Sequence, residues 1–143
     1  MRLTAVLTML LVTTVATPAH ADPVRECRYQ MVNGQTGWTT EEVRATIRCL
    51  APRFGISTTK ALTIAHHESG FQARASNGSY CGIYQHDRDY FPGRLAAAKA
   101  KWPRYAWMGR TCENARSNIL AAFALVKQTG GWEAGWCRWT SYC

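Results

Sequence analysis

The sequence predicts a mainly α-helical domain, α+β at most, held by disulfides and with one small loop or hairpin region. Three observations predict it. Apolar residues recur at helical spacing in several segments, two of them opened by a capping residue. One stretch, residues 69–94, is instead rich in Gly, Asn and Pro. Six cysteines (Cys27, Cys49, Cys81, Cys112, Cys137 and Cys143) fall in a short chain.

Residues 1–21 are expected to be a secretory signal peptide. Arg2 precedes the apolar run Leu3 to Val15, and Ala19-His20-Ala21 is a small-residue cleavage site. That run is too short and too Thr-rich to span a membrane. Residues 22–143 then form one secreted domain of about 122 residues with a net charge of about +7. An even cysteine count in an exported chain favours three disulfides, with 15 pairings open. Zinc is the competing use, but the chain has no C-x-x-C pair.

Thr39-Thr40-Glu41-Glu42 is a capping box, followed by Val43, Ile47 and Leu50; Pro52 is expected to stop this first helix. Ser57 caps a second, expected to end at Glu68 before Gly70. Residues 69–94 read as loop or short hairpin. Leu95 to Trp102 reads as a helix ended by Pro103. Residues 114–128 carry the stripe Ile119, Leu120, Phe123 and Val126, closed by Gly130-Gly131. The tail holds Trp132, Trp136, Trp139 and Tyr142.

Scattered basic residues favour a polyanionic partner. Nucleic acid carries that charge, but a bacterial wall suits an exported protein better; a generic solubilising surface is the bland alternative. The metalloprotease pattern H-E-x-x-H is absent, because position 71 is Phe after His66-His67-Glu68. The histidines then read as polar-face or loop residues. The tryptophans read mainly as core, with Trp102 or Trp107 as candidates to line a groove.

Among nine acids, Glu68 stands out. Ile64 and Ala65 precede it by four and three residues, so a helix sets its carboxyl on an apolar face at a C-terminal turn. Desolvation and the negative helix end both favour the protonated acid there. A protonated carboxylic acid is what glycoside cleavage needs. Pairing with Arg is the structural alternative.

Glu68-Ser69-Gly70-Phe71, then a Gly- and Asn-rich loop, then Gly82-Ile83-Tyr84-Gln85, resembles two motifs of the lysozyme-like superfamily, specifically soluble lytic transglycosylases and goose-type lysozyme. Their motifs read E-S-x-F and G-L-M-Q or close variants. A third region, Asn118-Ile119 opening an Ala-rich helix before Trp132 to Trp139, is also similar. The resemblance covers roughly residues 56–139 and implies a lysozyme-like transglycosylase domain. It implies that Glu68 is the acid/base, that Ser69 hydrogen-bonds near the active site, and that Gln85 holds a sugar. Tyr84 stands where Met is commoner, with a ring able to stack on a sugar. Trp136-Cys137-Arg138-Trp139 lies where many transglycosylases carry an A-Y-N-type motif. Asp87 is the candidate to activate water for hydrolysis, or else a turn former beside Arg88. The expected substrate is peptidoglycan glycan strand, with no nucleic acid or membrane partner, no cofactor, no metal and a monomeric state. A non-catalytic cationic wall binder and a small disulfide-rich inhibitor are the other function classes.

Overall fold

The computed structural model describes residue 27, residues 39–103, residue 109 and residues 111–136. The signal-peptide segment, Trp107, Cys137, Trp139, Tyr142 and Cys143 lie outside the described residues.

Helix α1, Thr40–Arg53, starts where the capping box predicts. The Glu42 N–H donates to Thr39 Oγ1 at 3.2 Å, and the Thr39 N–H donates to Glu42 Oε2 at 2.7 Å. Val43, Ile47, Leu50 and Ala51 point into the core. Pro52 does not stop the helix but sits in its last turn; the chain leaves α1 after Arg53 through Phe54 and Gly55. Phe54 is buried, edge-on to Trp102 at 4.9 Å and Phe123 at 5.7 Å. Cys27 is bonded to Cys49 on α1.

Helix α2, Thr58–Ser69, is capped by Ser57 and buries Ala61, Ile64 and Ala65. It ends one residue beyond Glu68. Gly70 is left-handed (φ 60°) and donates its N–H to the His66 carbonyl, the conformation glycine adopts most cheaply at a helix C-terminus. Phe71 is left-handed as well (φ 67°); its ring is buried, with the Arg44 guanidinium 4.4 Å above it.

The Gly- and Asn-rich stretch is a three-stranded antiparallel sheet. β1 (Ser76–Asn77), β2 (Tyr80–Cys81) and β3 (His86–Asp87) pair in that order. A two-residue turn with Gly78 at φ 55° joins β1 to β2. Asn77 opposes Tyr80, and Tyr80 opposes Asp87; Cys81 opposes His86. Opposed residues share a sheet face. Asn77, Tyr80 and Asp87 therefore form one row, and the fully buried Cys81 and His86 form the other.

Helix α3, Phe91–Lys101, begins four residues before its expected start. Pro92 and Gly93, read from sequence as loop, lie in its first turn, where the missing proline N–H has no intrahelical partner to lose. Helix α4, Ala115–Thr129, is the axis of the molecule. Asn114 caps it by accepting from the Ser117 N–H, and left-handed Gly130 (φ 86°) closes it. Its predicted stripe is buried, together with Ser117, Asn118, Ala121 and Ala122. It packs against α1, α3 and the short α5, Trp132–Gly135. Burying each of Leu50, Ile47, Ile64, Ile119 and Leu120 contributes about 1.5–3 kcal/mol relative to exposure. A second disulfide joins Cys81 to Cys112 just ahead of α4. Among the described residues no helix is long and apolar enough to cross a membrane.

Candidate active site

A groove of about 570 Å³ runs between the end of α2 and the outward row of the sheet. His67 and Glu68 form one wall from the last turn of α2. Asn77, Tyr80, Gln85 and Asp87 form the other, and Tyr90, Arg94, Gly135 and Trp136 complete it. The sheet register explains the second wall: Asn77, Tyr80 and Asp87 are the row that faces away from the core.

Glu68 is half-buried. It sits on the predicted helical face, next to buried Ile64 and Ala65, where that face emerges at the groove. Ser69 does not line the groove. Its hydroxyl donates to the Ile83 carbonyl at 2.8 Å, fastening the acid-bearing helix end to the turn that carries Gln85.

That turn is shaped by a buried polar knot. Gly82 has φ 75°, and a Cβ there would meet Asn118 Nδ2 at 2.1 Å and the Cys112 carbonyl at 2.4 Å. Only glycine lets the backbone pass so close. Asn118 is fully buried. Its Oδ1 accepts from the Tyr84 N–H at 2.9 Å, and its Nδ2 donates to the carbonyls of Cys112 (2.9 Å) and Cys81 (3.2 Å). Gln85 is left-handed (φ 45°), and its Nε2 donates to the Gly82 carbonyl at 2.7 Å. Asp87 is half-buried and accepts from the Asp89 N–H at 2.9 Å, so it both lines the groove and forms the turn expected of it.

Tyr84 corrects the expectation of an aromatic face for sugar. It is fully buried, its hydroxyl donates to the Ala61 carbonyl at 3.1 Å, and its ring lies against Phe123, Trp132 and Trp136. Burial pushes its phenol well above the usual tyrosine range. The rings that do line the groove are Tyr80, Tyr90 and Trp136. Trp102 belongs to the core face near Phe54 rather than the groove.

His86 is likewise a core residue rather than a polar-face one. Burial lowers its pKa to about 3, so the ring is neutral at ordinary pH. Its Nε2 lies 3.0 Å from the Asn118 carbonyl and its Nδ1 lies 3.2 Å from Arg94 Nη1. A carbonyl only accepts and a guanidinium only donates, so Nε2 carries the proton and Nδ1 accepts from Arg94.

Sequence reasoning missed Asn118 as the organiser, and missed His86, Arg94, Tyr80 and Tyr90; Trp136 was noted only for its place in the aromatic segment. One signal was available: Asn118 is a polar residue within the buried stripe of α4. Among the described residues no group of three or more His, Cys, Asp or Glu is placed to hold a metal.

Chemically, the groove sets a carboxyl on each wall, with amide, phenol, indole and guanidinium groups around them. Such a lining suits a polar, ring-built polymer entering from an open side. No protein-family model, curated protein or solved structure matched the chain.

Proposed function

We propose that this protein is a lysozyme-like enzyme, exported by its N-terminal segment, that cleaves the β-1,4 bond between N-acetylmuramic acid and N-acetylglucosamine in peptidoglycan. The observation that carries the reading is that Glu68, Gln85 and Asp87, the three residues to which the motif resemblance gives roles in the chemistry or in holding the sugar, line one groove. The hydrogen bond from Ser69 to the Ile83 carbonyl supports it, since it ties the helix end that carries Glu68 to the turn that carries Gln85.

Glu68, protonated, donates its proton to the glycosidic oxygen as the bond to the muramyl anomeric carbon breaks. The substrate's 2-acetamido group assists the oxocarbenium-like centre. Glu68, now a carboxylate, takes the proton of the muramyl 6-hydroxyl. That oxygen closes on the anomeric carbon and gives a 1,6-anhydro end, so a single carboxyl serves both steps. Gln85 uses its Nε2 on the Gly82 carbonyl, which leaves its Oε1 as an acceptor for a sugar hydroxyl or acetamido N–H. Tyr80, Tyr90 and Trp136 offer ring faces to the strand.

Hydrolysis is the second reading, favoured by the presence of Asp87 in the same groove. There Asp87 takes a proton from water and Glu68 acts only as the acid. The test is digestion of purified peptidoglycan by the protein and by Glu68→Gln, with the products weighed by mass spectrometry. Anhydro ends, one water lighter than reducing ends, are expected from the first and neither product from the second. Reducing ends would transfer the second step to Asp87. Digestion by a folded Glu68→Gln protein would sink the assignment of Glu68. No digestion by either would leave a wall-binding protein.

A further inference from the structure

Arg94 is the one guanidinium or ammonium group among the described residues lining the groove, and several observations set it there for a ligand. It occupies the first turn of α3, where a cation opposes the helix dipole, so it does not serve the helix. Among the described residues no carboxylate lies within ion-pair distance of it. Burial lowers its pKa, and nearby Asp87 acts in the opposite sense without pairing with it. Its Nη1 is held by neutral His86, which is itself anchored to the Asn118 carbonyl. Its guanidinium carbon lies 5.5 Å from the centre of the Trp136 ring and 5.9 Å from that of Tyr90. A neutral imidazole and two rings fix the orientation of a guanidinium without neutralising it. Among the described residues no hydrogen bond occupies Nη2 or Nε, which together form a fork of donors, the geometry that takes a carboxylate in two parallel hydrogen bonds.

Asp87 in the same groove would otherwise repel an anionic strand. We propose that Arg94 reads the free lactyl carboxylate of muramic acid, so that the preferred substrate is glycan strand from which the stem peptides have been removed. In a peptide-bearing strand that carboxyl is an amide, with no charge to match the fork. A peptide-free strand presents it within the length of one sugar from the backbone, which suits a cation inside the groove rather than on its rim. The class of reaction that must supply such a strand is hydrolysis of the amide between the lactyl group and the first amino acid of the stem. This inference rests on the peptidoglycan reading above.

The test measures binding by calorimetry at fixed low salt, in Glu68→Gln protein so that nothing is cut. The probes are one peptide-free glycan oligomer and the same oligomer with its lactyl carboxyls converted to methylamides. The expected result is about ten- to hundred-fold tighter binding of the free acid, the size of a charge-assisted pair. That ratio should fall to near one when Arg94→Gln is added, and to an intermediate value with Arg94→Lys, which keeps the charge but not the fork. A ratio unchanged by both Arg94 variants, or equal affinity for the two oligomers, would overturn the role of Arg94 and leave the peptidoglycan reading standing. No binding of either oligomer by folded protein would overturn both.

Discussion

Replacing Asn118 by Ala should cost more than any surface change in this protein, and the structure gives the size. Three hydrogen bonds to backbone groups are lost: Tyr84 N–H to Oδ1, and Nδ2 to the Cys112 and Cys81 carbonyls. At about 1 kcal/mol net each they sum to about 3 kcal/mol. The Tyr84 N–H is left buried without its acceptor, which adds about 1–2 kcal/mol. The expected loss is therefore about 4–5 kcal/mol. Gly82 faces the vacated space, so partial collapse favours the lower end of that range. Urea unfolding followed by tryptophan fluorescence and by far-UV circular dichroism reads the change as a shift in midpoint at constant slope. A loss under 1 kcal/mol with coincident transitions would refute the reasoning. It would mean that the Gly82–Gln85 turn is held by the disulfide and Ser69 rather than by the amide. Because Gln85 and Asp87 hang on that turn, the proposed peptidoglycan cleavage should fall even at temperatures where the variant stays folded.

Two further outcomes follow from the same region. His86 has a folded pKa of about 3 against an ordinary 6.5, so the unfolded chain binds a proton that the folded chain refuses. Its effect on stability is absent above about pH 6.5 and grows as pH falls toward about 3, at up to about 1.4 kcal/mol per pH unit. Urea unfolding between pH 7 and pH 4 should show that slope, and His86→Leu should lose it; equal slopes in the two proteins would refute the buried neutral ring. The lowered pKa values of Glu41 and Glu133, each beside basic partners, add a loss of stability in acid to both proteins and cancel in the comparison. Replacing Cys81 and Cys112 together by Ala opens a loop of 31 residues, worth about 3–4 kcal/mol by chain entropy. Thermal unfolding of that double variant should show the loss, and an unchanged midpoint would mean that the knot around Asn118 holds the segment without the covalent bond.

What was legible from sequence was local chemistry. Thr39 and Ser57 cap helices, and Gly70 and Gly130 end them, because each acts on residues within one turn of itself. The stripe of α4 was readable for the same reason. Helix α3 was read four residues too short because Pro92 and Gly93 act as breakers everywhere except in a first turn. The direction of Tyr84 was not legible. It depends on left-handed Gly82 and Gln85 on either side, which aim position 84 at Ala61 and Phe123. The contact of His86 with Arg94 depends on how the sheet meets α3, and that of His86 with Asn118 joins residues 32 apart. No periodicity reports such pairs. In the candidate site, Glu68, Gln85 and Asp87 were named from motifs, whereas the aromatic and cationic lining comes from Tyr80 on β2, Tyr90 and Arg94 at the start of α3 and Trp136 at the end of α5.

The left-handed backbone at Gln85 has one more consequence. A side chain with a Cβ pays about 1–2 kcal/mol for that conformation, and glycine would not. Gln85→Gly should therefore relieve the backbone while removing the amide that bonds the Gly82 carbonyl and faces the groove. For folding alone, glycine would trade that relief against loss of the bond to the Gly82 carbonyl, about 1 kcal/mol, so the amide offsets much of what the backbone costs here.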